Sequence, residues 1–351
     1  MRVLFVTRKY PPKLGGMESL SHGLLTGFPE PKTTIVLGRS QKHLVWFLPY
    51  VILRVAFTAH RYDVIHLGDA LLGIAGLVPR VFLKRKVAVS VHGLDLTFRP
   101  WIYQSYLKLF LRADVFIANS ASTKRLAESR GLGPVRTILI GVPERYFGVD
   151  RAKNRDPELV QRAAGRVVLV TLGRLVRRKG AAWFVRHVLP QLSGVLYVLI
   201  GVGPDQDEIL RAAREAGVSE ALWLAGSVSD ARLLDLLGTA DVFVMPNIAV
   251  PGNVEGFGIV AIEAAASGLP VVAAALEGIP DAISDGKNGC LVPPEEAPGY
   301  VRALQPLIED AAQRRLQGER GRAYTQEHSA WPQIIQQYAE LFGELLGELR
   351  R

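Results

Sequence analysis

The chain has 351 residues, a net charge of +9, a hydrophobic fraction of 49% and a charged fraction of 21%. That balance excludes a disordered chain and is enough apolar material for about two buried cores. The single cysteine, Cys290, excludes a disulfide framework and any cysteine-rich metal site, and in its apolar run Cys290–Val292 it reads as a small buried hydrophobe.

Short, nearly continuous apolar runs alternate with amphipathic stretches along the whole chain. Val3–Thr7, Thr34–Leu37, Asp63–Leu67, Val87–Val91, Asp114–Ala118 and Thr137–Ile140 read as strands. The pattern restarts after Asn154 with Val167–Leu172, Leu196–Ile200, Leu222–Leu224, Asp241–Met245, Pro270–Ala273 and Cys290–Val292. Strands buried on both faces need such runs, and strand–helix alternation predicts doubly wound parallel sheets. The polar stretch Val149–Pro157 reads as a linker, so the boundary is placed near residue 150. This gives domains 1–150 and 151–330, followed by an amphipathic helix over Trp331–Arg350. Its face carries Ile334, Ile335, Tyr338, Leu341, Phe342, Leu345 and Leu346.

The segment Leu44–Ala59 is apolar apart from Arg54 and contains Pro49. It is too short to span a bilayer, so it reads as a core-packed or interfacial helix. The N-terminal run Met1–Val6 is a strand too short for a signal peptide, which makes a cytoplasmic location the default expectation.

Four loops carry candidate chemistry. Gly15 and Gly16 precede the helical run Ser19–Phe28, where free backbone N–H groups favour an anion. His92 follows the strand ending at Val91, at the end of a strand where α/β sheets bind ligands, and can donate to or position a hydroxyl; a structural histidine is the plainer reading. Arg174 and Lys179, after Val167–Leu172, suit a diphosphate, whereas Arg177 and Arg178 read as solvated neighbours. Glu255 and Glu263 bracket Gly256, Phe257 and Gly258. A helix from near Phe257 sets Glu263 about two turns in.

These loops resemble, in order, the retaining GT-B glycosyltransferases of family four. The matching segments are Gly15-Gly16-Met17-Glu18, His92-Gly93-Leu94-Asp95, Gly173-Arg174 with Lys179-Gly180, Gly201-Val202-Gly203-Pro204, Ala225-Gly226-Ser227-Val228, Glu255–Glu263, and Gly278-Ile279-Pro280 with Asp285-Gly286. The resemblance implies a GT-B fold: two Rossmann-like domains whose parallel sheets face an interdomain cleft, with the last helix crossing back to the first domain. It implies that Gly16, Arg174 and Lys179 contact the donor diphosphate, and that Gly226 and Val228 border the base. Glu255 with the amides of Gly256, Phe257 and Gly258 would hold the transferred sugar, Glu263 the ribose, and His92 would sit near sugar and acceptor.

The expected reaction is transfer of a hexose from GDP-mannose or a UDP-hexose to an acceptor hydroxyl on a lipid-linked or cell-envelope glycan, with retention and without a metal. Asp205-Gln206-Asp207 has the Asp-x-Asp form that binds metal in another glycosyltransferase fold. Here it opens a helix, and capping accounts for it. The chain departs from the family pattern at Ile140–Pro143, at Met245-Pro246-Asn247 with the long loop after it, and at Glu277, where glycine is common. A nucleotide-sugar epimerase, a phosphorylase or a non-catalytic nucleotide-sugar binder would use the same scaffold.

Residues 1–150 hold 21 Lys+Arg and 9 Asp+Glu, a balance of +12, against 21 and 24, or −3, in the remainder. No aromatic-basic RNA motif supports nucleic acid as the partner. The basic residues Arg80, Lys84, Arg85 and Lys86 surround Val81, Phe82 and Leu83. Arg99, Lys108 and Arg112 flank Trp101, Tyr103, Tyr106 and Phe110. That mixture predicts peripheral docking on an anionic membrane, with ordinary core aromatics as the plainer alternative.

Overall fold

The computed structural model describes residues 1–11, 16–37, 41–98 and 100–347. The chain divides into two compact units, residues 1–141 with 331–351 and residues 142–330. The division falls between Gly141 and Val142, ahead of the polar stretch near residue 150. The short helix Glu144–Phe147 therefore belongs to the second unit.

The first unit holds β1 (Val3–Thr7), β2 (Lys32–Val36), β3 (Val64–Leu67), β4 (Lys86–Val91), β5 (Val115–Ala118) and β6 (Val135–Thr137), in the order β2-β1-β3-β4-β5-β6. All neighbours are parallel. Alternate residues point to opposite faces. Val3 and Phe5 therefore enter one apolar layer with Leu24, Phe28 and Ile117, and Leu4 and Val6 enter the other with Val51, Val55 and Val89.

The first layer is closed by the helix Trp331–Leu346 through Ile334, Tyr338, Leu341 and Phe342. It lies beside the helix Gly16–Gly27, where a Cβ on Gly23 would fall 1.9 Å from the Trp331 ring. Only glycine permits that approach. The second layer is closed by the helix Leu44–Thr58 and by Trp101–Phe110. Strand β6 ends where the sequence pattern begins it. Ile138 and Ile140 are buried core residues beyond the strand, although the Ile138 N–H still donates to Ala118 O at 3.0 Å.

The second unit holds β7 (Val167–Leu172), β8 (Val195–Ile200), β9 (Leu222–Gly226), β10 (Val242–Met245), β11 (Val271–Ala274) and β12 (Cys290–Val292), in the order β12-β11-β10-β7-β8-β9. This sheet is also parallel throughout. Cys290 is half-buried on the edge strand β12 rather than enclosed in the core. The chain leaves β7 toward β8 and β9, then returns to β10 on the other side. That reversal opens a crevice beyond the carboxyl ends of β7 and β10, where ligands of open α/β sheets bind. The corresponding reversal in the first unit lies between β1 and β3.

Among the described residues no helix is long and apolar enough to cross a membrane.

Candidate active site

The loop leaving β7 turns at Gly173 and runs through Arg174 to a single helical turn, Arg177–Lys179. Gly180 follows with φ +68°, and a Cβ there would lie 1.8 Å from Pro246 O. Glycine thus brings the β7 loop against the chain leaving β10, and Lys179 reaches the carboxylate that follows β10. Its Nζ lies 2.6 Å from Glu255 Oε2. Arg178 NH1 contacts the same oxygen, and Arg178 Nε donates to Asn253 Oδ1 at 3.1 Å. Asn247 Nδ2 donates to Glu255 Oε2 at 3.1 Å.

Burial pushes the Glu255 carboxyl up, but Lys179 and Arg178 outweigh it and hold the group below its ordinary range. Lys179 is 8% exposed, and loss of water lowers its pKa against the pull of Glu255. Arg174 is exposed and makes no side-chain ion pair or hydrogen bond among the described residues. Arg178, read from sequence as a solvated neighbour, belongs to this cluster. Burial against a partner 77 residues away has no local signature.

Glu277 adds a second acid. Its backbone is left-handed, φ +54°, and its carboxylate accepts the Glu255 N–H. Burial, the first cause, and the neighbouring Glu255 raise its pKa. Gly256 and the buried Phe257 lead to Gly258, φ +87°, which opens the helix Ile259–Ala266. The helix begins two residues later than the sequence reading places it.

Glu263 stands in a different cluster. It is 6% exposed, and burial raises its pKa to about 7 although Arg145 and a hydrogen bond from Tyr146 oppose the shift. Arg145 lies over the Tyr146 ring and pairs with Asp230 at 3.2 Å. Asp230 begins the helix after the loop that carries Gly226 and Val228. This second cluster thus ties Glu263 to the end of β9. Gly226, φ +71°, has open space where a side chain would be, and Val228 is half-buried. Sequence reasoning passed over Asn247, Arg145 and Tyr146. The Asn247 position was visible as a departure from the family pattern, whereas Arg145 and Tyr146 carried no signal.

In the first unit Gly16 opens the helix Gly16–Gly27, and Gly15 lies outside the described residues. His92 is buried at the end of β4. Its Nε2 lies 3.1 Å from Gly68 O, a partner that only accepts, so Nε2 carries the proton. The expected donor role toward a hydroxyl is thereby occupied. Nδ1, buried without a partner, is left as an acceptor. Asp95 Oδ1 accepts the His92 N–H at 2.7 Å, and burial raises this carboxyl to about 6. Beside it, Arg8 holds the fully buried Asp69 at 2.7 Å.

Asp205 precedes the helix Gln206–Glu215, but its side chain makes no capping hydrogen bond, contrary to the sequence reading. Burial raises its pKa. Among the described residues no group of three or more His, Cys, Asp or Glu side chains is placed to hold a metal ion.

The second unit matches the family model described as "Glycosyl transferases group 1" over residues 166–310. The first matches "Glycosyltransferase Family 4" over residues 1–145. The chain belongs to the GT-B glycosyltransferases. This glycosyltransferase is 26% identical to a GDP-mannose-dependent alpha-(1-6)-phosphatidylinositol monomannoside mannosyltransferase of Mycobacterium tuberculosis, over 97% of each chain. It is 32% identical to the lipopolysaccharide core biosynthesis glycosyltransferase LpsE of Rhizobium meliloti, over 62% of this chain and 61% of that one. The fold matches Anabaena HepE, solved with UDP, with a TM-score of 0.79 and 20% identity over 98% of this chain and 100% of the other.

Proposed function

We propose that the enzyme moves a hexose from a nucleoside diphosphate sugar, GDP-mannose or a UDP-hexose, to a hydroxyl of a lipid-linked or cell-envelope glycan, with retention at the anomeric carbon. The observation that carries this reading is the convergence of Lys179, Arg178 and Asn247 on Glu255 beyond the carboxyl ends of β7 and β10, with Arg174, which has no side-chain partner among the described residues, on the same loop. A diphosphate leaving group gains negative charge as its bond to the sugar breaks. Fixed cations there stabilise the transition state more than the ground state.

In the proposed step the anomeric C–O bond to phosphate breaks and a new bond to the acceptor oxygen forms on the same face. The acceptor proton passes to the departing phosphate oxygen. Glu255, anchored by its cations, takes hydrogen bonds from hydroxyls of the sugar. Glu263 takes those of the ribose diol, and the loop of Gly226 and Val228 borders the base. Arg174 and Lys179 would supply the positive charge that a metal ion otherwise gives a leaving diphosphate, so transfer is expected to survive EDTA. Loss restored by magnesium or manganese would contradict that part.

The relatives named for phosphatidylinositol monomannoside and for lipopolysaccharide core support a lipid-linked acceptor and an anionic membrane surface as partner. A thermal-shift screen of GDP-, UDP- and ADP-sugars tests the donor reading, because a ligand that binds only the folded chain raises its Tm. One nucleotide class is expected to stabilise. No response to any of the three would overturn the reading.

A further inference from the structure

We propose that the helix Leu44–Thr58 is the element that enters the membrane surface, lying along it with Trp46, Tyr50, Leu53 and Phe57 among the lipid headgroups. This deepens the membrane reading given above and rests on it.

The helix is apolar on both sides. Phe47, Val51 and Val55 are buried in the core, with Leu44, Leu48 and Ile52 packed beside them. On the opposite side Trp46, Tyr50, Leu53 and Phe57 follow one another at helical spacing and are 78%, 54%, 59% and 75% exposed. A surface helix of a soluble domain normally turns charged residues outward. Here the only charge within the helix is Arg54.

The stripe is also not isolated. Twelve of the sixteen large hydrophobic side chains exposed among the described residues fall between Val45 and Leu109. They include Phe82, Trp101, Ile102 and Leu109. The helix packs on the turns at Ala70–Gly76 and Leu77–Val81, and the corner after them is tied to its end where Arg85 NH2 donates to His60 O at 2.9 Å. An exposed apolar stripe of this kind marks an interaction site.

Charge identifies the occupant. Residues 41–112 contain 10 Lys+Arg and 3 Asp+Glu. Of the three acids, Asp69 and Asp95 are buried and Asp63 accepts the Arg2 N–H at 2.7 Å. The water-facing charge of this face is therefore cationic, with Lys84 and Lys108 exposed beside Phe82 and Leu109. Aromatic and aliphatic side chains mixed with cations suit an anionic bilayer surface. A second copy meeting the face through a two-fold axis would set this cationic patch against itself.

The structure also redistributes the aromatics named from sequence. Tyr106 turns inward, donating to Leu71 O and accepting from Ile74 N–H at 3.2 Å, and Tyr103 packs with it against the core. Trp101 faces out, and Arg99 lies outside the described residues. The insertion surface is therefore centred on Leu44–Thr58, with the corner at Phe82 and the exposed residues of Trp101–Phe110 as its flanks.

The test is co-sedimentation of the full chain with phosphatidylcholine vesicles, with and without phosphatidylglycerol, at low and high salt. Wild type should pellet with the anionic vesicles, release with salt and ignore the neutral ones. A Trp46→Ser/Phe57→Ser variant, folded by circular dichroism and unchanged in nucleoside diphosphate binding, should lose about tenfold or more in vesicle affinity. A Lys84→Glu/Lys86→Glu variant should bind more weakly with a flatter salt dependence. Brominated lipid should quench wild-type tryptophan fluorescence and quench Trp46→Phe markedly less. Unaltered binding and quenching in the Trp46 variants would overturn the helix assignment while the membrane reading stands. Failure of wild type to pellet at low salt would overturn both. A dimer by light scattering that Trp46→Ser/Phe57→Ser abolishes would assign the stripe to a second copy instead.

Discussion

Both units place ionised side chains where their strand order reverses, but with different balances. Beyond β1 and β3 in the first unit, Arg8 pairs with Asp69 at 2.7 Å beside a second buried carboxylate, Asp95, and the neighbouring His92 offers Nδ1 as an acceptor with no partner among the described residues. Beyond β7 and β10 in the second unit, Glu255 meets both Arg178 and Lys179, and Arg174 has no side-chain partner among the described residues. Even with Glu277 counted, the described cations there exceed the carboxylates. The same scaffold thus yields an acceptor-rich end suited to a neutral, hydroxyl-bearing ligand and a cationic end suited to a diphosphate. In such folds the function lies in the loops, which the sheets hold but do not specify.

The largest effect that would break this comparison is at the cationic end. Lys179→Ala should reduce turnover on the order of a hundredfold, with circular dichroism unchanged, because it removes a charge contact that strengthens as the leaving group departs. At the acceptor-rich end Arg8→Ala should instead act on stability. It leaves Asp69 buried and unpaired, at about 3 kcal/mol in urea unfolding. Near-normal turnover in Lys179→Ala would remove the distinction.

A second test sharpens the split within the second unit. The Glu263 pKa of about 7 in the free protein implies that its carboxylate is only partly ionised at neutral pH. Nucleoside diphosphate affinity should therefore rise with pH through that value, falling about tenfold per unit below it. Glu263→Gln should flatten the calorimetric pH profile. The same raised pKa acts on stability. Its contribution is fully present below the ordinary value of 4.5 and is lost as pH rises through about 7. Urea unfolding against pH should show that loss in wild type and not in the variant.

A smaller effect is expected at Glu277. Glu277→Gly releases a left-handed residue from about 1 kcal/mol of strain and removes the acceptor on the Glu255 N–H. Transfer should fall by roughly threefold to tenfold while nucleoside diphosphate affinity stays constant. Faster transfer would mean that the Glu277 contact does not hold the Glu255 loop in its working position.

The architecture was legible because strands buried on both faces need nearly unbroken apolar runs, and the inner strands of each sheet left one, whereas the edge strands β2 and β6 are partly polar and exposed. Strand β6 shifted because Ile138 and Ile140 are apolar for core packing rather than for the ladder. The boundary read at the polar stretch near residue 150 missed that Arg145 and Tyr146, which precede that stretch, pack against Glu263. For Leu44–Thr58, an apolar sequence broken by a single charge, Arg54, left both stripes able to face the core. The site was legible where loops follow strand ends, as at Lys179 and Glu255. It was not legible at Arg178, Arg145 and Tyr146, whose roles come from contacts made across the fold.

The most direct measurement is calorimetric titration of the bare nucleoside diphosphate into wild type, Glu255→Gln and Glu263→Gln at one pH, about one unit above the Glu263 pKa. The account predicts that Glu263→Gln weakens binding about tenfold, because it loses the ribose contact. Glu255→Gln, whose partner is the absent sugar, should stay within roughly threefold of wild type. The reverse ranking would contradict the assignment of the two clusters.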